Sequence, residues 1–273
     1  MPATRGSFEH GVDTAFKPLS ALFRHLVLAL LCAAPLAAYA QDCALDRSDE
    51  EVRISRIYDG DTVELSDGRK LRLIGIDTPE LGHGNDPSQP LAVDAANALR
   101  TLLAISPNLH LRYDAESHDR YQRLLAHIYL HNGASVAAAL LEQGLATALV
   151  IPPNVWNLDC YQAAERRAQA VRRGIWSLPG YQPVEAAALP AKASGFRLVQ
   201  GQVVRIGKSR KSIWLNLTGD VALRIDRKDL PYFKGLDLEH LENHRVRARG
   251  WLHPQKRGLM MRIRHPAALE RLN

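Results

Sequence analysis

Cysteine is scarce in this chain, with 3 in 273 residues, and none of them stands with the 11 scattered histidines at zinc-binding spacing. A zinc module is therefore excluded, and most histidines read as surface or packing residues. A membrane-spanning run is also missing. The apolar stretch Leu26–Ala33 falls short of the roughly 20 residues that cross a bilayer. Preceded by Arg24-His25 and followed by the small-residue pattern Ala38-Tyr39-Ala40, it has the layout of a secretory signal, with cleavage expected after Ala40. The region before Arg24 is unusually long and charged, which a start codon downstream of Met1 would explain. Neither Cys32 nor Cys43 follows a small residue, so a lipid anchor is not expected. Export to the periplasm or medium is the expected destination. Cys32 would leave with the signal, and Cys43 and Cys160 would form one disulfide in an oxidising compartment. Closing so long a loop stabilises by up to ~4–5 kcal/mol in the chain-entropy model. The alternative is a pair of buried free thiols.

Hydrophobic residues make up 46% of the chain, ample for a packed core, and charged residues an ordinary 23%. The length suits one large or two small domains. The net charge of +6 is unevenly placed. From Ala191 onward there are 18 Lys and Arg against 7 Asp and Glu, whereas the residues before it carry 17 against 22. An acidic, metal-using half joined to a basic, polyanion-binding half is the arrangement this asymmetry suggests.

After the signal (1–40), residues 41–180 read as strands with interleaved helices. Val52–Ile57 and Thr62–Leu65 flank an Asp59-Gly60 turn, and Ser66–Arg69 turns the chain into Lys70–Ile76. His110–Tyr113 and Leu124–Tyr129 are two further strands. Helices are expected at Ala92–Leu103, at Ser135–Gln143 with Ser135 as cap, and at Leu158–Arg173. Five strands with helices predict a mainly β protein with α elements (α+β), built on the oligonucleotide-binding (OB) barrel. The Pro- and Ala-rich segment 181–194 reads as a linker. Residues 195–273 show three strands, a helix-like stretch near Tyr232–Glu242 and two more strands, a second small OB-like barrel. Along the alternating Arg245-Val-Arg-Ala-Arg249, three arginines share one strand face, and Trp214, Tyr232 and Trp251 lie nearby in sequence. Two readings stay open: a groove for single-stranded nucleic acid, with Arg245, Arg247 and Arg249 binding substrate, or a solvated strand face flanked by core aromatics.

The densest chemistry lies in Arg72-Leu-Ile-Gly-Ile-Asp77-Thr78-Pro79-Glu80, with Tyr58-Asp59-Gly60-Asp61-Thr62 upstream and Asp119-Arg120-Tyr121-Gln122-Arg123 downstream. Pro79 removes a backbone donor, so the chain must leave its sheet with Asp77 and Glu80 near the strand end. Two acidic clusters and two arginines are what phosphodiester cleavage needs: a cation site, a carboxylate for water, and guanidinium forks for phosphate oxygens. A β-turn cap accounts for Asp59 or Asp61 alone, but not for Asp77 and Glu80 as well. An EF-hand is excluded because Val63 and its strand occupy the loop's ligand positions.

In order and spacing these fragments, over about residues 52–177, resemble the staphylococcal nuclease (thermonuclease) family. The resemblance implies an OB barrel and a Ca²⁺-dependent endonuclease acting on DNA or RNA. It implies Asp61, Asp77 and the Thr78 carbonyl as metal ligands, and Glu80 as the residue that activates water. Arg72 and Arg123 would be transition-state stabilisers, with Arg120 and Tyr121 at the substrate. A monomer is expected. The chain departs from the family in two places: Gln122 stands where a glycine is usual, and Ala148–Pro153 offers no base-stacking tyrosine. The competing function is a catalytically weak or silent nucleic-acid-binding protein of the same fold. Its members lose the glutamate or an arginine, whereas Arg72, Glu80 and Arg123 are all present here.

Overall fold

The computed structural model describes residues 43–82 and 84–272; the expected signal, Cys32 and the cleavage point after Ala40 lie outside them. The first half contributes strands β1 (Glu50–Val52), β2 (Ile54–Ile57), β3 (Thr62–Leu65), β4 (Lys70–Leu73), β5 (Ile76–Asp77), β6 (Leu109–Arg112), β7 (Leu124–Tyr129) and β8 (Thr147–Ala148). Its helices are α1 (Ala92–Ala104), α2 (Val136–Glu142) and α3 (Leu158–Ala170). β1 and β2 form one strand bent at Arg53: β1 pairs with β6 and β2 with β3, so the sheet β1-β6-β7-β4-β3-β2 wraps into a barrel. β4 and β7 run parallel, with Arg72 opposite Leu125.

The period of two along these strands builds the core. Val63, Leu65, Leu71 and Leu73 are fully buried, and Arg72 lies on the face opposite Leu71 and Leu73. The alternation was expected to continue through Ile76, but β4 stops at Leu73. Gly75 has φ +88°, and a Cβ there would lie 2.4 Å from the Tyr161 ring. A glycine is required, the strand breaks, and Ile76–Asp77 leaves the barrel to pair with β8, Asp77 opposite Thr147. That break sets Asp77 on a rim. The helix from Ser135 forms as expected, with Ser135 Oγ accepting from Ala138 N at 3.2 Å.

The second half contributes β9 (Pro183–Glu185), β10 (Gly195–Lys208), β11 (Ser212–Leu217), β12 (Val221–Asp226), β13 (Arg245–Pro254), β14 (Leu259–Arg262) and β15 (Leu269–Arg271). Strands β10-β11-β12-β14-β13 close on themselves through a β13–β10 pairing, with β12 and β14 parallel. This is the same strand order as in the first half, so the chain carries two OB barrels. Two expectations change here. The helix-like stretch is a pair of 3₁₀ turns, Arg227–Phe233 and Glu239–Leu241, the first carrying Pro231. The segment 181–194 does not run free as a linker. Pro183–Glu185 adds a parallel strand to the edge of β10, and Ala186 enters the second core.

Both barrels belong to one unit spanning residues 40–273. Between them, Ala168, Ile175 and Trp176 pack on Leu198, with Leu91, Leu178, Tyr181 and Phe196 around them, and Tyr181 stacks on Phe196 at 5.5 Å. Cys43 and Cys160 meet with Cα atoms 5.6 Å apart, within disulfide reach. Among the described residues no helix is long and apolar enough to cross a membrane.

One core residue makes stability depend on pH. His127 on β7 is 2% exposed, with Nδ1 2.9 Å from the Tyr161 hydroxyl. Burial, and secondarily the Arg112 charge, push its pKa from 6.5 down to about 3. In that interval the unfolded chain takes up a proton that the folded chain refuses, so stability falls as pH drops below 6.5 toward 3. Two pH units below that upper limit the loss reaches about 2–3 kcal/mol. His127→Gln should flatten this part of a plot of urea midpoint against pH; an unchanged slope would contradict the assignment.

Candidate active site

The turn after β2 places the first carboxylates. Asp59 Oδ1 accepts from the backbone N–H of Asp61 at 2.9 Å and of Thr62 at 2.7 Å, closing a tight turn around Gly60. A Cβ on Gly60 would lie 2.8 Å from both Ala95 Cβ and Thr78 Oγ1, so α1 and the Asp77-Thr78 segment press directly on this backbone. Asp61 is 3% exposed. Its Oδ2 accepts from Thr78 N at 2.9 Å and Thr78 Oγ1 at 3.0 Å, and its Oδ1 from Thr62 Oγ1 at 3.1 Å.

Arg72 rises from β4 into this cluster. Its Nη2 lies 3.0 Å from Asp61 Oδ2 and 3.0 Å from Asp77 Oδ1, while Nη1 donates to the Leu73 carbonyl. Burial opposes the guanidinium's charge, yet Asp61, Asp77, Asp59 and Glu80 together outweigh it and raise its pKa. The carboxylates feel the reverse. Burial pushes Asp77 up to about 6 against the pull of Arg72, with Asp61 adding to the rise. Asp59 is raised by burial and by Asp61. Glu80 remains exposed, but partial burial and then the charges of Asp61, Asp59 and Asp77 lift its carboxyl above the ordinary range. Its backbone N–H is tied to Gln89 Oε1 at 3.1 Å.

Four carboxylates thus converge on one guanidinium, and the excess of negative charge is what a hard divalent cation would relieve. The donor chemistry, one carboxylate from the turn before β3, one from β5 and the Thr78 carbonyl, fits an oxygen-preferring ion. Among the described residues no group of three or more His, Cys, Asp or Glu side chains is arranged to hold a metal.

Arg123 stands just before β7, the neighbour of β4, and is held by Asp119: Nε donates to Oδ2 at 2.8 Å, and Oδ1 accepts from Arg123 N and Tyr121 N, both at 2.9 Å. Its terminal nitrogens make no hydrogen bond among the described residues. Tyr121 is 65% exposed, with the Arg120 guanidinium 4.6 Å from its ring centre. Gln122 has φ +61°, the left-handed region that accounts for a glycine being usual at this position. The structure therefore gathers Asp61, Arg72, Asp77, Thr78 and Glu80 into one cluster and sets Arg120, Tyr121 and Arg123 on a separate turn.

The second-barrel residues are placed differently from the nucleic-acid groove considered above. Arg245, Arg247 and Arg249 do share a face of β13, but each meets a carboxylate: Glu185, Glu270 and Glu165 in turn. Arg249 is forked onto Glu165 of α3, which is 2% exposed. Trp214 lies beneath Arg224, and Tyr232 lies beside His265. Trp251 turns to the first barrel, where Nε1 donates to Asp77 Oδ2 at 3.1 Å. No local pattern could have assigned Trp251 to this site, since 174 residues separate it from Asp77.

An OB barrel whose rim carries Asp61 and Asp77 bridged by Arg72, with exposed Glu80 nearby and Arg123 at an adjoining strand end, is an arrangement suited to phosphodiester hydrolysis. Comparison with known proteins agrees. Residues 70–178 match the model of the staphylococcal nuclease homologue family. The chain is 33% identical to a thermonuclease of Staphylococcus hyicus over 133 residues, 48% of this chain and 78% of that protein. It is 33% identical to a thermonuclease of Staphylococcus intermedius over 160 residues, 55% of this chain and 94% of that protein. Endonuclease YncB of Bacillus subtilis is 37% identical over 135 residues, 48% of this chain and 63% of that protein. The chain belongs to the staphylococcal nuclease family.

Removing the bridging guanidinium tests the cluster's energetics. Arg72→Met leaves buried aspartates without their partner and should cost about 3–5 kcal/mol of stability in chelator at neutral pH, read by urea unfolding. A loss below 1 kcal/mol would show that Arg72 does not hold Asp61 and Asp77 together.

Proposed function

We propose that this hydrolase is an exported, Ca²⁺-dependent endonuclease of DNA or RNA whose chemistry is carried by residues 41–180. The observation that carries the reading is the convergence of Asp59, Asp61, Asp77 and Glu80 on Arg72 at the barrel rim. Asp61, Asp77 and the Thr78 carbonyl would hold Ca²⁺, which when bound supplies positive charge to the scissile phosphate and polarises water. Glu80 accepts the proton of the attacking water as its oxygen bonds to phosphorus and the bond to the leaving nucleotide oxygen breaks. Arg72 and Arg123 neutralise the charge that accumulates on the phosphoryl oxygens. Asp119 fixes the aim of Arg123, and Arg120 and Tyr121 form the adjoining nucleotide contact. Export supports closure of Cys43–Cys160 as a disulfide.

The deciding assay incubates residues 41–273 with single- and double-stranded DNA and RNA, in Ca²⁺ or in chelator. Cleavage should require Ca²⁺ and be lost in Asp61→Ala and Asp77→Ala; full activity in chelator would sink the proposal. In the same assay Arg72→Ala and Arg123→Ala should each cost on the order of 10²–10³ in turnover. Glu80→Gln should keep substrate affinity and lose rate. Near-normal turnover in any of these three variants would remove that residue from the mechanism.

A further inference from the structure

Strand β13 presents two alternating faces. Val246, Ala248 and Leu252 point into the second core, and Arg245, Arg247, Arg249 and Trp251 lie on its outer side. The last two of these outer residues reach the first barrel at chemically specific points. Trp251 Nε1 donates to Asp77 Oδ2, the oxygen that Arg72 does not take. Indole N–H is a donor only, so it has one use beside a carboxylate, which is to hold one oxygen in a fixed direction. Two residues earlier, Arg249 forks onto Glu165, whose Oε1 also accepts from Ala148 N at 2.8 Å. Ala148 lies on β8, the short strand paired with Ile76–Asp77. One strand of the second barrel therefore touches Asp77 twice, directly through an indole and indirectly through an ion pair that anchors the strand beside it. Trp176, Tyr181, Phe196 and Leu198 pack together in the same seam.

We propose that the second barrel is a structural part of the nuclease site, with Trp251 the positioning residue that orients Asp77 for the divalent cation and Arg249–Glu165 the clamp that keeps β13 in register with it. This rests on Asp77 being a metal ligand, and the test separates the two claims. Partners that orient a ligating carboxylate typically matter by about 10–100-fold in metal affinity. Trp251→Phe keeps an aromatic ring in the seam while removing the N–H together with the pyrrole part of the indole.

The experiment uses residues 41–273 of wild type, Trp251→Phe and Asp77→Asn, with two readouts that need no turnover. The first is the Trp251 indole N–H resonance in ¹⁵N spectra of the metal-free protein, assigned by its absence from Trp251→Phe. It should move on Asp77→Asn, which weakens the acceptor without changing its shape. A resonance unmoved by Asp77→Asn overturns the proposal whatever the affinities. The second is Ca²⁺ affinity by calorimetry without substrate, with thermal unfolding as a check that the variants remain folded. Trp251→Phe should bind Ca²⁺ about 10–100-fold more weakly than wild type; wild-type affinity overturns the positioning role. If Asp77→Asn itself leaves Ca²⁺ affinity unchanged, the metal-ligand reading of Asp77 fails, and the indole resonance alone decides whether Trp251 holds that carboxylate.

Discussion

A guanidinium placed between the buried Asp61 and the half-buried Asp77 constrains everything near it. At 14% side-chain exposure Arg72 has its charge matched by Asp61 and Asp77, each 3.0 Å away, and the two carboxylates share that one guanidinium. Each element around the cluster serves that mutual requirement. Alternation along β4 directs Arg72 away from Leu71 and Leu73, the Asp59 turn delivers Asp61, and Thr78 supplies two further donors to Asp61 Oδ2. Even so the balance stays negative, and Asp59, Asp77 and Glu80 are all held above the ordinary carboxylate range. A site left short of positive charge in this way is suited to recruiting it, from a divalent ion or from the second arginine.

The two barrels share a topology and divide the labour. The first presents chemistry at its rim, and the second presents β13 to the first. The basic character of the C-terminal part had suggested a surface for polyanions. A share of those charges is instead used within the protein: Arg245, Arg247, Arg249, Arg224 and Arg262 all meet carboxylates. Arg249 is the informative case, because its partner Glu165 is almost wholly buried. An ion pair there specifies how the barrels dock, since a displaced β13 would leave Glu165 charged and unmatched in the interior.

The alternating strands, the Ser135 cap and the succession of strands in both barrels were legible because each depends on short-range rules: a period of two, a hydroxyl at a helix start, glycine-bearing turns. Misreadings arose where a distant side chain overrode the local pattern. Lys70–Ile76 reads as one continuous strand, but β4 ends at Leu73 and Gly75 takes φ +88° with the Tyr161 ring too close for a Cβ. The Pro- and Ala-rich segment 181–194 reads as a linker because nothing in it announces that Pro183–Glu185 will find the open edge of β10. Tyr232–Glu242 has helix-like composition, but Pro231 and Gly235 flank its start and the chain settles into 3₁₀ turns.

The sequence by itself marked out three fragments carrying the carboxylates, the arginines and the proline, and the family resemblance they carry implied the roles of their residues. It also determined that two β-rich units follow one another. What only the tertiary structure decided is which of those charges face each other. Arg72 is bound to Asp61 and Asp77, Arg123 to Asp119, and Arg249 to a helix of the other barrel. Trp251, one of several aromatics in a basic segment, became a partner of Asp77 only through the docking of two barrels. Hydrogen bonds between residues 174 positions apart leave no local pattern, since neither partner's neighbours need change for the contact to form.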